Sequence, residues 1–205
     1  MRAEDVMSTP AVTVREDAPA KSAIALLTSH GFTALPVLDA DDRLVGVVTE
    51  ADLMRDRVLP DARGLIWRDE EPAAPAPARL VRDAMTGPAV AVRAAADIAE
   101  VAKVLLDKHI RCVPVADGTT LLGIVSRRDL LRTLARDDDA IVTDVRHRLA
   151  AYGGHGRWAV SVLDGAVTVV DEFDDADDRH VATVLAASAP GVQSVDVTAR
   201  VDRHT

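Results

Sequence analysis

A chain of 205 residues suits one large domain or two smaller ones. Its hydrophobic content of 48% can build a core, but with aromatics at 2% that core has to come from Val, Leu, Ile and Ala. A net charge of −9 speaks against nonspecific binding to nucleic acid or to an anionic membrane, and the one cysteine, Cys112, makes no internal disulfide.

The opening MRAEDVMSTP has no apolar stretch of signal-peptide length. No run of about 18 apolar residues offers a membrane span. The reading is a soluble cytoplasmic protein. Behind Met7-x-x-Pro10, residues Val12–Val14 predict a short strand. Ala20, Ala23, Ile24 and Leu27 then set an apolar stripe on a helix. Strands are predicted at Ala34–Leu38 and Leu44–Thr49, around a turn at Asp39–Asp42, and a second helix starts after Thr49. LPDARGLIWRDEEPAAPAPARL, residues 59–80, carries four prolines and reads as a linker, stiff in its PAAPAP part. Leu65, Ile66 and Trp67 are expected to pin it to a surface, with a partner site as the alternative.

The same order then returns. Met85-x-x-Pro88 leads into a strand at Val90–Val92. Ile98, Val101, Ala102, Leu105 and Leu106 form a helical stripe. Strands follow at Cys112–Ala116 and Leu121–Ser126, around Asp117–Thr120, and a helix starts after Ser126. The agreement is residue by residue. DVMSTPAVTVR (5–15) lies over DAMTGPAVAVR (83–93) at a shift of 78, and GVVTEADL (46–53) over GIVSRRDL (123–130) at a shift of 77. Two copies of β-α-β-β-α occupy 1–58 and 81–136.

A third unit begins in ARDDDAIVTDVRHRL. Ile141, Val145 and Leu149 step by four along a helix. Trp158–Val162 and Val167–Val170 flank Asp164-Gly165 as a hairpin. Asp178–Ser188 reads as a helix with Val181, Val184 and Leu185 inward, and Val195–Val201 as a last strand. The order is α-β-β-α-β. DEFDDADD (171–178) reads as a solvated acidic loop, since it lacks the Gly and final Glu of an EF-hand.

In the repeated octet, Thr49 and Ser126 stand where a strand turns into a helix, with Asp52 and Asp129 three residues on. A capping box alone accounts for all four. The same parts also suit a ribonucleotide. The hydroxyl and the helix N-terminus suit phosphate, and the carboxylate suits ribose hydroxyls. Gly46 and Gly123 would let backbone approach a base.

Two copies of β-α-β-β-α, each with Pro in the second strand and Gly-h-h-(Thr/Ser)-x-x-Asp, resemble a tandem pair of CBS domains over residues 2–136. The resemblance implies an α+β fold, with the two repeats packed as one pseudo-twofold module and two clefts between the halves. It implies that Asp52 and Asp129 contact ribose and that Thr49 and Ser126 lie near ribose or phosphate. It also implies that Thr33, Leu35 and Pro36, and Arg111, Val113 and Pro114, flank the base. Arg127 and Arg128 suit phosphate whereas Glu50 repels it, so the cleft on Ser126–Asp129 is the expected one if a single cleft binds. Residues 138–202 resemble a BON domain through Asp164-Gly165-Ala166-Val167-Thr168 and Gly191-Val192-Gln193-Ser194-Val195, with Asp171 where a Gly is usual.

The expected function is a regulatory module that senses an adenine nucleotide (AMP or ATP) or another adenosyl ligand and signals to an unidentified protein partner through the BON domain. The alternative is a non-sensing scaffold with structural clefts. A homodimer through CBS helices is expected from Leu53, Met54, Leu130, Leu131 and Leu134. No required cofactor, polymeric nucleic acid or membrane partner is expected. No nucleophile–base pair, Walker loop or zinc set appears, and His109-x-x-Cys112 has no second pair to complete a metal site, so neither catalytic nor metal-binding residues are assigned.

Overall fold

The computed structural model describes residues 1–58, 76–173 and 175–200. Leu65, Ile66, Trp67 and Val201 fall outside the described residues. The chain forms two compact units, Arg2–Arg127 and the part from Arg128 onward.

In the first unit, a single 3-10 turn at Ala3–Asp5 precedes β1 (Val14–Arg15), α1 (Ala20–His30), β2 (Ala34–Leu38), β3 (Leu44–Thr49) and α2 (Glu50–Met54). The second repeat contributes α3 (Val81–Ala84), α4 (Ile98–Asp107), β4 (Cys112–Asp117) and β5 (Thr120–Ser126), and α5 (Arg127–Leu134) begins at its end. Strand β1 runs parallel to β2, and β2 is antiparallel to β3. Strands β4 and β5 make an antiparallel hairpin. The first predicted strand of each repeat is shorter than expected. In repeat one it is the pair Val14–Arg15. In repeat two it shrinks to one bridge, Val92 to Val115, because two hydrogen bonds, Val92 N–H to Pro114 O and Ala116 N–H to Val92 O, are all that hold it to β4. The helical stripes are narrower than predicted as well. Val101 and Leu105 of α4 are fully buried, but Leu106 is exposed.

The two repeats exchange their lead-in segments. Met7 and Ser8 of repeat one run along β5, where Ser8 pairs with Ile124. Thr86 of repeat two pairs in the same way with Val47 of β3. Val81 completes the apolar core of repeat one, fully buried itself and packed with buried Val14, Leu27, Leu35, Val37, Val48 and Leu53. Ala3, its counterpart, is likewise fully buried. The crossing is close. A Cβ on Gly46 would stand 2.8 Å from both the Met85 sulfur and the Thr86 carbonyl oxygen. One on Gly123 would stand 2.7 Å from the Met7 sulfur and 2.9 Å from the Ser8 carbonyl oxygen. Two contacts anchor the chain where it leaves and re-enters the repeats: the Arg57 guanidinium donates to the Ala78 carbonyl, and Ala20 N–H donates to Arg79 O.

The second unit contains α6 (Asp138–Gly153), β6 (Trp158–Leu163), β7 (Ala166–Asp171), α7 (Ala176–Ala187) and β8 (Ser194–Ala199). Its sheet order is β6-β7-β8, with β6 antiparallel and β8 parallel to β7, so α7 is the crossover between two parallel strands. Asp164 and Gly165 both take positive φ (50° and 76°), as a two-residue type I′ hairpin turn requires. The Asp138 carboxylate accepts both their N–H groups at 2.8 and 3.0 Å. Ile141, Val145 and Leu149 pack on Val160, Val167 and Val169. Helix α7 meets the predicted face only in part: Leu185 packs on the core and Val181 is half-buried. Ala182 and Ala186 are buried and Val184 is exposed, since small side chains let the helix lie close to the sheet. It starts at Ala176 because the Asp175 carboxylate caps the N–H groups of Asp177 and Asp178.

The acidic stretch 171–178 is only partly the solvated loop that its composition predicts. Asp171 is fully buried. Both its oxygens accept from Arg157 at 2.7 Å, and the same guanidinium reaches Asp178 at 2.5 Å. The guanidinium also lies 4.3 Å from the ring centroid of Trp158 and 5.1 Å from that of Phe173. Tyr152 donates to Asp178 at 2.7 Å. Hydrogen bonds from Arg157, with its charge, hold the Asp171 carboxyl below the usual carboxylate range. Hydrogen bonds from Tyr152 and Arg157 do the same for Asp178.

Two outcomes follow. Gly46→Ala and Gly123→Ala are each expected to destabilise the first unit by about 1–3 kcal/mol, as overpacking against fixed backbone does; a lower urea midpoint at unchanged slope checks this. In the second unit, the depressed Asp171 carboxyl contributes stability at neutral pH. That contribution begins to fade as pH falls through the unfolded-state value of about 3.9 and is gone once the folded-state value is passed. Thermal melts from pH 7 to pH 2 should show this acid limb in the wild type. Asp171→Asn should be less stable at pH 7 and show a flatter limb.

Candidate ligand-binding site

The exchanged lead-in makes a cleft of about 420 Å³ inside the first unit. Repeat one lines it with Thr33 and Ala34 before and at the start of β2, with Val47 and Thr49 of β3, and with Glu50, Ala51 and Met54 of α2. Repeat two supplies Thr86, Pro88, Ala89 and Val90 from its lead-in and His109, Ile110, Arg111 and Cys112 from the segment entering β4. The walls are mostly apolar, with a few polar groups at fixed points, as small-molecule sites usually are. The backbone at both ends is held: Glu50 N–H donates to Thr33 O at 3.1 Å, and Arg127 N–H donates to Arg111 O at 3.0 Å.

Thr49 and Asp52 form the capping box expected of them. The hydroxyl donates to Asp52 Oδ2 at 2.7 Å and accepts from Asp52 N–H at 3.2 Å, while Thr49 N–H donates to the same Oδ2 at 3.0 Å. One acceptor position on the hydroxyl remains, and among the described residues Asp52 Oδ1 has only Arg55, at 3.9 Å. Asp52 also lines an adjoining polar cavity of about 360 Å³ with Arg55, Arg79 and Asp83. Capping therefore leaves the pair with unused hydrogen-bonding capacity.

Of the residues singled out in the sequence, Thr33, Thr49 and Arg111 line one cleft, with Asp52 behind Thr49. Arg111 comes from the other repeat and sits in the cleft of the first octet. Leu35 and Val113 are fully buried and Pro36 and Pro114 are buried in β2 and β4; none of these four lines the cleft. Arg127 does not line this cleft. Its guanidinium donates to Leu105 O at 2.9 Å and Ile110 O at 3.0 Å, closing the end of α4. Asp129 pairs with Arg132 at 3.2 Å, as Asp52 does with Arg55. Ser126, the last residue of β5, and exposed Arg128 lie outside this cleft. Gly46 and Gly123 admit the partner repeat's Met-x-x-Pro backbone where the sequence suggested a base. Thr86 and Pro88–Val90 had no signal of their own as site residues, because nothing local says that a lead-in crosses to the other repeat.

Among the described residues no group of three or more His, Cys, Asp or Glu is placed to hold a metal ion. No helix among them is long and apolar enough to cross a membrane.

Comparison with known proteins gives matches to the CBS domain family at residues 3–58 and 81–136, together more than half of the chain. MJ1404 of Methanocaldococcus jannaschii is 31% identical over 133 residues, which is 63% of this chain and 31% of that longer protein. Hypoxic response protein 1 of Mycobacterium tuberculosis is 31% identical over 144 residues, 70% of this chain and 91% of that one. Among solved structures, CBSX2 in complex with AMP aligns at 28% identity and a TM-score of 0.52, covering 64% of this chain and 93% of that one. The chain belongs to the CBS domain family and carries two copies of the domain, packed through exchanged lead-in segments into one α+β unit.

Proposed function

We propose that the cleft of the first unit binds an adenosine-containing ligand and that the CBS pair acts as a non-catalytic sensor of its occupancy. The carrying observation is that a mostly apolar cleft, walled by both repeats, ends on a Thr49–Asp52 pair with spare acceptor positions. A purine would lie between Val47 and Ile110, and its ribose hydroxyls would meet Thr49 and Asp52. The AMP held by CBSX2 supports this reading. A ligand touching both repeats biases their packing by its differential affinity for the two arrangements, which is how occupancy would reach a partner protein. The unit from Arg128 onward is proposed to be the BON-type domain that makes that contact. A homodimer is proposed through the exposed Met54, Leu131 and Leu134; Leu53 does not contribute, because it lies in the core of repeat one.

The test is calorimetric titration of the full chain with adenosine and AMP, joined to thermal melts. Both ligands are expected to bind, and at a hundred times its dissociation constant each should stabilise the protein by about 2.7 kcal/mol. Ala89→Trp, which fills the cleft, should remove binding without lowering the melting temperature of the free protein by more than a few degrees. No binding to the wild type at millimolar ligand would leave the scaffold reading in its place.

A further inference from the structure

Among the described residues, and apart from the imidazole of His109, the cleft lining carries one acid and one base, and they come from different repeats. Glu50 opens α2, and Arg111 stands just ahead of β4. They meet as an ion pair at 3.6 Å, with side chains 48% and 70% exposed respectively. An exposed pair of that length is weak, so a ligand can open it at little cost. Their main chains, in contrast, are tied to Thr33 and Arg127. The cleft therefore presents two opposite charges on a fixed base, and Val47, Met54, Val90, Ile110 and Cys112 line the same cleft.

We infer that Glu50 and Arg111 make this cleft selective for an adenosyl ligand with a zwitterionic amino-acid tail over a nucleoside polyphosphate. The inference rests on the cleft being an adenosyl site. An α-ammonium group would replace Arg111 as the partner of Glu50, and an α-carboxylate would replace Glu50 on the planar fork of Arg111, so both charges stay paired. A thioether link between ribose and tail would pass Met54 and the apolar wall, where polarizable sulfur packs well. A polyphosphate draws Arg111 away from Glu50, and among the described lining residues only the His109 imidazole remains as a base beside that carboxylate; the repulsion from Glu50 is what discriminates. The device belongs to one repeat only. The counterpart of Glu50 is Arg127, which is committed to the carbonyls of Leu105 and Ile110, and the counterpart of Arg111 is the uncharged Thr33.

The experiment titrates the full chain with 5′-methylthioadenosine, S-adenosylhomocysteine and ATP. The first two share the adenosyl thioether and differ in the amino-acid tail. S-adenosylhomocysteine is expected to bind at least about tenfold more tightly than 5′-methylthioadenosine, with ATP weakest. Glu50→Gln and Arg111→Gln should each weaken S-adenosylhomocysteine by about tenfold and leave 5′-methylthioadenosine within about twofold, which also shows that the variants fold. Glu50→Lys should bring ATP above S-adenosylhomocysteine. If 5′-methylthioadenosine binds but S-adenosylhomocysteine binds no better, or ATP binds best to the wild type, the selectivity is overturned and the adenosyl site stands. If S-adenosylhomocysteine still binds Ala89→Trp, its assignment to this cleft is overturned. If 5′-methylthioadenosine does not bind at all, the site and the selectivity fall together.

Discussion

The first unit depends on one close contact made twice: backbone of one repeat lying directly on a strand of the other. A main chain can come that near a strand only where the strand has no side chain, and Gly46 and Gly123 supply those places. Because Thr86 pairs with Val47, Val81 enters the core of repeat one, and the segment through Val90 is carried across as a wall of the cleft. The cleft is thus a by-product of how the repeats hold each other. Its polar end, in contrast, is local. Thr49 and Asp52 would face each other in any helix begun by this octet, whatever packed nearby.

The second unit solves a different problem. With few aromatics available, it places Trp158 and Phe173 around one guanidinium and buries Asp171 against it. Burying a carboxylate is expensive unless its charge and lone pairs are matched. Arg157 matches both oxygens, and the Phe173 N–H adds a bond at 3.2 Å. Trp158, by comparison, keeps its ring nitrogen buried with no hydrogen-bond partner among the described residues, packed against Gly153.

Much of the architecture was legible because it is local. Strands β2 and β3 fall where alternation and turn chemistry put them, and the stripe Ile141, Val145 and Leu149 is buried as periodicity requires. What escaped was pairing at a distance. The octet pointed to Thr49 and Asp52, but no periodicity reports that Arg111 of the other repeat completes their cleft. Arg127 suits phosphate by its guanidinium and its place beside the second octet, but sequence does not report that this group donates to the carbonyls of residues 105 and 110. One miss was recoverable. The Asp164-Gly165 turn sets the hairpin register, and that register pairs Trp158 with Asp171, which brings the adjacent Arg157 beside a carboxylate that composition alone assigned to solvent.

The burial of Val81 among the side chains of repeat one bears on how the chain is made. During synthesis, residues up to Leu53 leave the ribosome with a gap in their core that only a residue beyond the linker can fill. At about 5–20 residues per second the wait is on the order of seconds, long compared with helix or hairpin formation. Through that interval the first repeat lacks one of its core side chains, because Val81 is made only after residues 59–80. Linker length, usually the least constrained property of a domain pair, here sets the delay before the first core can close.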